Sequence, residues 1–198
     1  MKLSLSEIFA KGIFPENPVI RGLVGLCPLL ALSSSVAEAA AIATALLGVL
    51  VFCSLVVSFF RSLIGPQHRL GVFILTAAVG TALAQTLFQL FWRGMDLGVF
   101  LPLLAVNEIV LGRAGAFARQ RPVGQSVVDA LGMGLGFALV ILLLAVLREG
   151  LGQGRVWGVP LLGAKWAQHA VAGIALPFGA FLTAGVSLGI LRRFRRHD

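Results

Sequence analysis

The architecture of this chain follows from one apolar segment, Gly22-Leu23-Val24-Gly25-Leu26-Cys27-Pro28-Leu29-Leu30-Ala31-Leu32-Ser33-Ser34-Ser35. The segment is apolar enough to enter a bilayer, but it has a proline at its centre and falls short of the ~20 helical residues that a membrane span requires. Residues 18–34 are therefore predicted to form a broken or half-length helix. The central phrase returns as Leu101-Pro102-Leu103-Leu104-Ala105-Val106. Paired interrupted helices in two halves of a chain point to a site at the membrane midplane.

The composition is that of an all-α integral membrane protein. Of the 198 residues, 58% are hydrophobic and 12% are charged, whereas a soluble domain carries about 25% charged residues. The apolar runs are long and do not alternate, which indicates helices rather than a barrel. Gly132-x-x-x-Gly136 and Gly185-x-x-x-Gly189 are predicted to allow close helix packing. The net charge of +8 forms no continuous basic face, so nucleic-acid binding is not indicated.

Six transmembrane spans are predicted within a single membrane domain, residues 1–198. They are the interrupted segments 18–34 and 98–112 and the longer helices 35–60, 70–92, 127–147 and 171–191. Each half of the chain, 18–92 and 97–191, then contains three spans. Because three is an odd number, the second repeat is expected to lie inverted relative to the first.

The basic residues predict the orientation. With both termini in the cytoplasm, 12 of the 16 Lys and Arg side chains lie on the cytoplasmic side, as the positive-inside rule favours. Residues 192–198 then form a basic cytoplasmic tail. A cleavable signal ending near Ala37-Glu38-Ala39 is the competing interpretation, although its basic region would be unusually long.

Cys27 is the first candidate site residue, because it lies beside Pro28, which is predicted to open the helix. A thiolate there can bind a soft metal or an iron–sulfur cluster. The alternative is a small buried apolar side chain, the usual state of a free cysteine. One cysteine cannot hold a cluster that needs four ligands, so a ligand role requires a partner chain. Cys53, in the middle of the second span, is predicted to serve packing.

Asn107 and Glu108 lie in the second interrupted segment. An ionisable residue at membrane depth is a functional hypothesis. Glu108 is predicted to be a proton or cation site, an oxygen ligand to a metal, or the ion-pair partner of an arginine such as Arg113. The alternative is a solvated carboxylate at the cytoplasmic end of a short helix. Arg148-Glu149-Gly150 is expected to close the fifth span as an interface anchor and a turn.

Several phrases, in matching order and spacing, make the chain resemble one family over Asn17 to about Phe181. They are Leu23–Ala31, Leu97–Leu103, Asn107–Ala114, Ala116–Ala118, Gly132–Gly134, Leu147–Glu149 and Leu176–Phe181. The chain resembles the E subunit of the Rnf electron-transport complex, which is related to the D subunit of the sodium-translocating NADH:quinone oxidoreductase.

This resemblance implies a six-span subunit of the bacterial inner membrane, with two half-helices and a homologous A-type partner subunit. Each of the two subunits would give one cysteine per half-helix to a 2Fe–2S or similar iron–sulfur centre at their shared midplane. Electrons would pass through it between flavin- and iron–sulfur-containing subunits, coupled to Na⁺ or H⁺ movement. The chain would then be a non-autonomous subunit of a ferredoxin:NAD oxidoreductase, embedded in membrane lipids.

The chain departs from the family pattern at two positions. Cys27 matches the first family cysteine, but Glu108 stands where the second is expected, and Gly115 replaces an acidic residue after Gly-Arg-Ala. Cys27 is thus the expected metal ligand, with Glu108 as a carboxylate at the same centre, or Asn107 and Glu108 as ion-coupling residues. Three functions follow: a subunit for electron transfer, an ion-pathway subunit that uses Glu108, or a scaffold without a redox centre.

Overall fold

A computed structural model describes residues 4–65, 67–91, 97–157, 159–160 and 172–195. These residues are almost entirely helical. The α-helices are α1 Leu5–Ile13, α2 Pro18–Gly22, α3 Leu26–Leu32, α4 Val36–Phe59, α5 Arg69–Phe91, α6 Glu108–Arg113, α7 Val123–Gln153, α8 Ala172–Ala175 and α9 Pro177–Arg195. Two 3₁₀ segments, Gly98–Phe100 and Pro102–Val106, precede α6, and a π-helical turn, Ala114–Ala118, follows it. After α7, strands β1 (Arg155–Val156) and β2 (Val159–Pro160) pair antiparallel.

Four segments are long and apolar enough to cross a membrane among the described residues. They are Val36–Phe59, Arg69–Phe91, Gly98–Ala118 and Val123–Gln153, with a shorter apolar stretch at Phe178–Ser187. At about 1.5 Å per residue, the 24 residues of α4 exceed the hydrocarbon thickness. Large apolar side chains along α5, such as Leu75 at 66% and Leu87 at 55%, are exposed. The predicted class, a helical membrane protein, is confirmed.

The predicted helices 35–60 and 70–92 agree closely with α4 and α5 over the described residues. The predicted end of the fifth span near residue 147 is wrong, because α7 continues to Gln153. Arg148 and Glu149 lie inside this helix, and both side chains are buried, so neither marks an interface with water. At the C-terminus, α9 continues to Arg195, through most of the predicted tail, and residues 196–198 lie outside the described part.

The first interrupted span consists of α2 and α3, separated by Leu23–Gly25. Leu23 caps α2 in the left-handed region at φ 54°, and Gly25 has φ 77°, a backbone conformation that favours glycine. The prediction that Pro28 opens the helix is wrong. Pro28 is the third residue of α3, and in the first turn of a helix its missing N–H would have no intrahelical acceptor anyway. Cys27 therefore follows the break instead of lying within it.

The second interrupted span is confirmed as irregular. Two 3₁₀ segments end at Asn107, whose backbone is extended (φ −67°, ψ 132°). The Asn107 side-chain oxygen then accepts the Ile109 N–H at 2.9 Å and caps α6, as asparagine commonly does at a helix start.

Packing divides the chain into two compact units. The first unit comprises Met1–Gly25 and Ala43–Phe137, and the second comprises Leu26–Ile42 and Ala138–Asp198. Each unit takes segments from both predicted repeats, because α4 and α7 contribute to both. The repeats, 18–92 and 97–191, stay a prediction.

In the first unit, α1 lies directly against α7. A Cβ atom added at Gly132 would lie 2.6 Å from the Phe9 carbonyl oxygen, and one at Gly136 would lie 2.6 Å from the Gly12 carbonyl oxygen. The predicted close approach at Gly132 and Gly136 is thus confirmed. At Gly185 and Gly189 a Cβ atom would meet no atom within 4 Å, so the described residues show no such approach there.

Candidate functional site

A pocket of about 490 Å³ lies in the first unit and brings two candidate elements together. Its walls come from α2 and the residues just before it, from α6 and from α7. Four of its lining residues are charged: Glu16, Arg21, Glu108 and Arg113. The two carboxylates lie at or just before the start of a short helix, and the two arginines lie in the last turns of α2 and α6.

Arg113 is held by a buried acid that the sequence analysis did not single out. Its Nε donates to Asp129 Oδ2 at 2.9 Å, and its Nη2 pairs with Asp129 Oδ1. The Asp129 side chain is only 4% exposed, and the Glu16 carboxylate lies 3.8 Å from Arg113 Nη1. Paired charge is the condition under which an ionised group is tolerated in a dry interior. Asp129 lies within the predicted fifth span, where its ionisable side chain was the available signal.

Glu108 is the first residue of α6, and its side chain is exposed. The predicted pair with Arg113 is not formed: within the described residues, Arg113 pairs with Asp129 and Glu16. The position in the first turn suits a carboxylate, because the helix dipole is positive there. Glu108 thus presents its carboxylate to the pocket.

Asn107 is buried, at 9% exposure, beside Glu108. Its side-chain oxygen is engaged in capping α6, which explains why a polar side chain is tolerated in this place. The predicted ion-coupling role of Asn107 stays a prediction.

Cys27 lies in the second unit, as the second residue of α3, and its side chain is exposed. This exposure contradicts the alternative interpretation of Cys27 as a buried apolar side chain. Cys53, in contrast, is 1% exposed within α4, which agrees with the packing role predicted for it.

The site residues predicted from the sequence thus fall in two units: Asn107 and Glu108 belong to the first, and Cys27 belongs to the second. The described residues contain no group of three or more His, Cys, Asp or Glu side chains suited to hold a metal ion. An iron–sulfur cluster typically needs four ligands. The described residues therefore do not supply the ligands of a complete centre.

Two further buried charges, Arg148 at 2% and Glu149 at 5% exposure, lie in the second unit. The sequence predicts that this pair lies at a membrane interface and that the glycines after it form a turn. Instead, α7 continues through Gly150, Leu151 and Gly152 to Gln153.

Comparison with known proteins identifies relatives over nearly the whole chain. The sequence model of the Rnf-Nqr family, described as Rnf-Nqr subunit, membrane protein, matches residues 5–188. The E subunit of the Na⁺-translocating ferredoxin:NAD⁺ oxidoreductase complex of Acetobacterium woodii is 37% identical over 96% of both chains. The E subunit of the ion-translocating oxidoreductase complex of Haemophilus influenzae (strain PittEE) is 37% identical over 94% of this chain and 85% of its own. The protein of the same name in Shewanella loihica is 36% identical over 93% and 85%, respectively.

Proposed function

The chain belongs to the Rnf-Nqr family of membrane subunits, and on that premise we propose that it serves as the E subunit of an ion-translocating oxidoreductase complex. Relatives with that name match it over more than nine-tenths of its length. The four apolar segments fit a protein that lies within a bilayer. We further propose six spans in two inverted repeats, with both termini cytoplasmic in a bacterial inner membrane.

Within this complex, the proposed task of the chain is electron transfer across the membrane, and Cys27 is the residue proposed to carry it. The supporting observation is the exposure of this thiol at the start of a short helix that follows a backbone break. An exposed thiol can reach a second chain, whereas buried Cys53 cannot. The partner is proposed to be a homologous A-type subunit, which would supply the remaining thiolates.

An iron–sulfur centre, when bound, takes up and releases single electrons. This chain would supply one ligand, because α3 presents the exposed Cys27 thiol. Glu108 stays the proposed fourth ligand in place of a cysteine. A carboxylate is a harder ligand than a thiolate and would alter the reduction potential.

A second candidate function is ion conduction through Glu108. The observation that favours it is the pocket of about 490 Å³ that Glu108 lines, where Arg113 is already occupied by Asp129. The exposed carboxylate can therefore accept a cation or a proton from water. In this version Na⁺ or H⁺ moves past Glu108 and the chain holds no redox centre.

Low-temperature EPR of the reduced, purified complex tests the first function. Cys27→Ala is expected to abolish the signal of the shared centre, and Glu108→Cys to shift it. Cys53→Ala is the matched control, because this thiol is buried in α4, and it should leave the spectrum unchanged. A spectrum that is indifferent to Cys27→Ala contradicts the proposed electron-transfer role.

Ion transport in proteoliposomes tests the second function. Glu108→Gln is expected to stop Na⁺ or H⁺ uptake while electron transfer from ferredoxin to NAD continues. If Cys27→Ala and Glu108→Gln both leave electron transfer and ion uptake unchanged, only a scaffold role remains.

A further inference from the structure

Arg148 is the most deeply buried charged side chain of the second unit's described residues, at 2% exposure. A charge inside a membrane protein is costly and calls for partners. The guanidinium of Arg148 donates to several oxygen atoms around it. They include the carbonyl oxygens of Leu30, Ile174 and Leu176, each at 3.2 Å, and Ser33 Oγ at 2.6 Å.

Two of these partners belong to the end of α3. The last four carbonyl groups of a helix lack intrahelical donors, and in lipid no water can satisfy them. The Nη1 group of Arg148 donates to the Leu30 carbonyl oxygen and to Ser33 Oγ. A cation at a helix C-terminus is also favoured by the helix dipole. Arg148 therefore closes the C-terminal end of the helix that carries Cys27.

The other two partners lie where α8 meets α9. Ile174 is within α8 and Leu176 lies between the two helices, just before Pro177. The Leu176 carbonyl oxygen accepts the Gly179 N–H at 3.0 Å, and Arg148 Nη2 adds a second donor to it. Arg148 Nε donates to the Ile174 carbonyl oxygen. One guanidinium thus joins two helix breaks within the second unit.

Glu149, the next residue, holds the segment that follows α3. Its Oε2 accepts the backbone N–H of Val36 at 2.7 Å. Val36 is the first residue of α4, so its N–H has no intrahelical acceptor. A carboxylate from α7 therefore satisfies the start of α4. A carboxylate at a helix N-terminus is favoured by the dipole.

We propose that Arg148 and Glu149 are positioning residues: together they fix both ends of the α3–α4 link, from Leu30 to Val36, and thereby set where the Cys27 thiol is presented. This rests on the proposed function in one respect, the role of Cys27 as a ligand. Both residues act on the thiol through the backbone of the short helix.

Two matched pairs of variants separate this role from a general need for charge. Arg148→Met removes all donors at similar length, whereas Arg148→Lys keeps a charged donor. Glu149→Leu removes the acceptor for Val36, whereas Glu149→Gln keeps an amide oxygen. Arg61→Met changes an exposed arginine and serves as the common control.

The first measurement is the EPR spectrum and midpoint potential of the purified complex. Arg148→Met and Glu149→Leu are expected to shift or lose the signal. Arg148→Lys and Glu149→Gln should restore it in part, and Arg61→Met should match wild type. The second measurement does not depend on a metal centre. It is the EPR spectrum of a nitroxide attached to Cys27 in the full chain with Cys53→Ala. Its spectrum should show greater mobility in Arg148→Met and Glu149→Leu than in the wild-type background.

Unchanged EPR and nitroxide spectra in Arg148→Met overturn the proposal. If Arg148→Met does not fold, the Glu149 pair decides, and a Glu149→Leu protein with wild-type spectra overturns it equally. If instead the EPR signal of the complex survives Cys27→Ala, the proposed ligand role of Cys27 fails. The nitroxide spectra then still decide whether Arg148 and Glu149 hold α3.

Discussion

Gly136 offers a quantitative test of how α1 packs on α7. A Cβ atom at this position would lie 2.6 Å from the Gly12 carbonyl oxygen, 2.9 Å from Asn17 Nδ2 and 3.3 Å from Ile13 Cα. Two of the three contacts are with backbone, which cannot rotate away as a flexible side chain can. Gly136→Ala must therefore push the end of α1 away from α7.

The expected magnitude combines opposing terms. Overpacking of a tight contact costs ~1–3 kcal/mol. Displacing Asn17 also weakens its hydrogen bond to the Gly136 carbonyl oxygen at 2.8 Å, and such interhelical bonds average about 0.6 kcal/mol in a membrane protein. Replacing glycine by alanine in a helix returns roughly 0.8–1.0 kcal/mol. The net destabilisation for Gly136→Ala is then about 1–3 kcal/mol.

Gly124 is the matched control, because it lies in the same helix and a Cβ atom there would meet nothing within 4 Å. Gly124→Ala is expected to gain the helix-propensity term alone. Thermal unfolding of the full chain in detergent provides the assay, with Cys27→Ser in every variant. Cys53, 1% exposed, is then the chain's one thiol, and its reaction with a fluorogenic dye reports unfolding.

For a domain of this size, 1 kcal/mol corresponds to about 2–4 °C in Tm. Gly136→Ala should therefore unfold roughly 2–12 °C below the Cys27→Ser background, and Gly124→Ala at or above it. A Gly136→Ala protein as stable as Gly124→Ala would refute the packing of α1 on α7 through this glycine.

Three further sets of substitutions, at Asn17, at the Asp129–Arg113 pair and at Gly25, can be checked by the same unfolding assay. Asn17→Ala removes four hydrogen bonds of a buried side chain and should lower the free energy of unfolding by about 2–4 kcal/mol. A change below about 0.5 kcal/mol, the range of ordinary surface mutations, would contradict these bonds. Arg113→Met leaves the Asp129 carboxylate buried and unpaired and should cost about 3–5 kcal/mol. Asp129→Leu should cost less, because Arg113 is 19% exposed and keeps Glu16 at 3.8 Å. The double variant should recover part of the Arg113→Met loss, and additive losses would contradict the pair. At Gly25 the backbone has a positive φ, and an added Cβ would lie 2.5 Å from the Ile109 side chain of α6. At Gly98 φ is also positive, but an added Cβ would have no atom within 4 Å. Gly25→Ala should therefore lower Tm more than Gly98→Ala, and equal shifts would contradict the contact with α6.

The long helices α4, α5 and α7 could be predicted from the sequence because their apolar runs are long, and the interrupted spans because they are short, whereas α1 was not predicted. The position of the first break could not be predicted from Pro28. A proline is tolerated in a first turn, so its effect depends on where the helix begins. That start is set by Leu23 and Gly25, both at positive φ, and residue identity alone does not reveal such a conformation for a leucine.

The candidate site was predictable only in part, for a related reason. Cys27 and Glu108 stand out because thiols and carboxylates are rare in apolar segments, and the structure places both at exposed positions. The partners that neutralise other charges lie far away in sequence. Arg113 pairs with Asp129, and Arg148 binds backbone around residues 30 and 174. Such pairings follow from packing, and periodicity carries no information about them.

These pairings change how an ionisable residue in a span of this protein should be interpreted. A broken helix leaves backbone groups that lipid cannot satisfy. In the first unit Asn17 and Asn107 satisfy such groups, and in the second unit Arg148 and Glu149 do. Their burial is explained by the breaks alone, without a transported ion. Glu108 differs, because it is exposed in a pocket and Arg113, its predicted partner, pairs with Asp129 instead. Among these residues, Glu108 is therefore the one whose charge the fold leaves available for function.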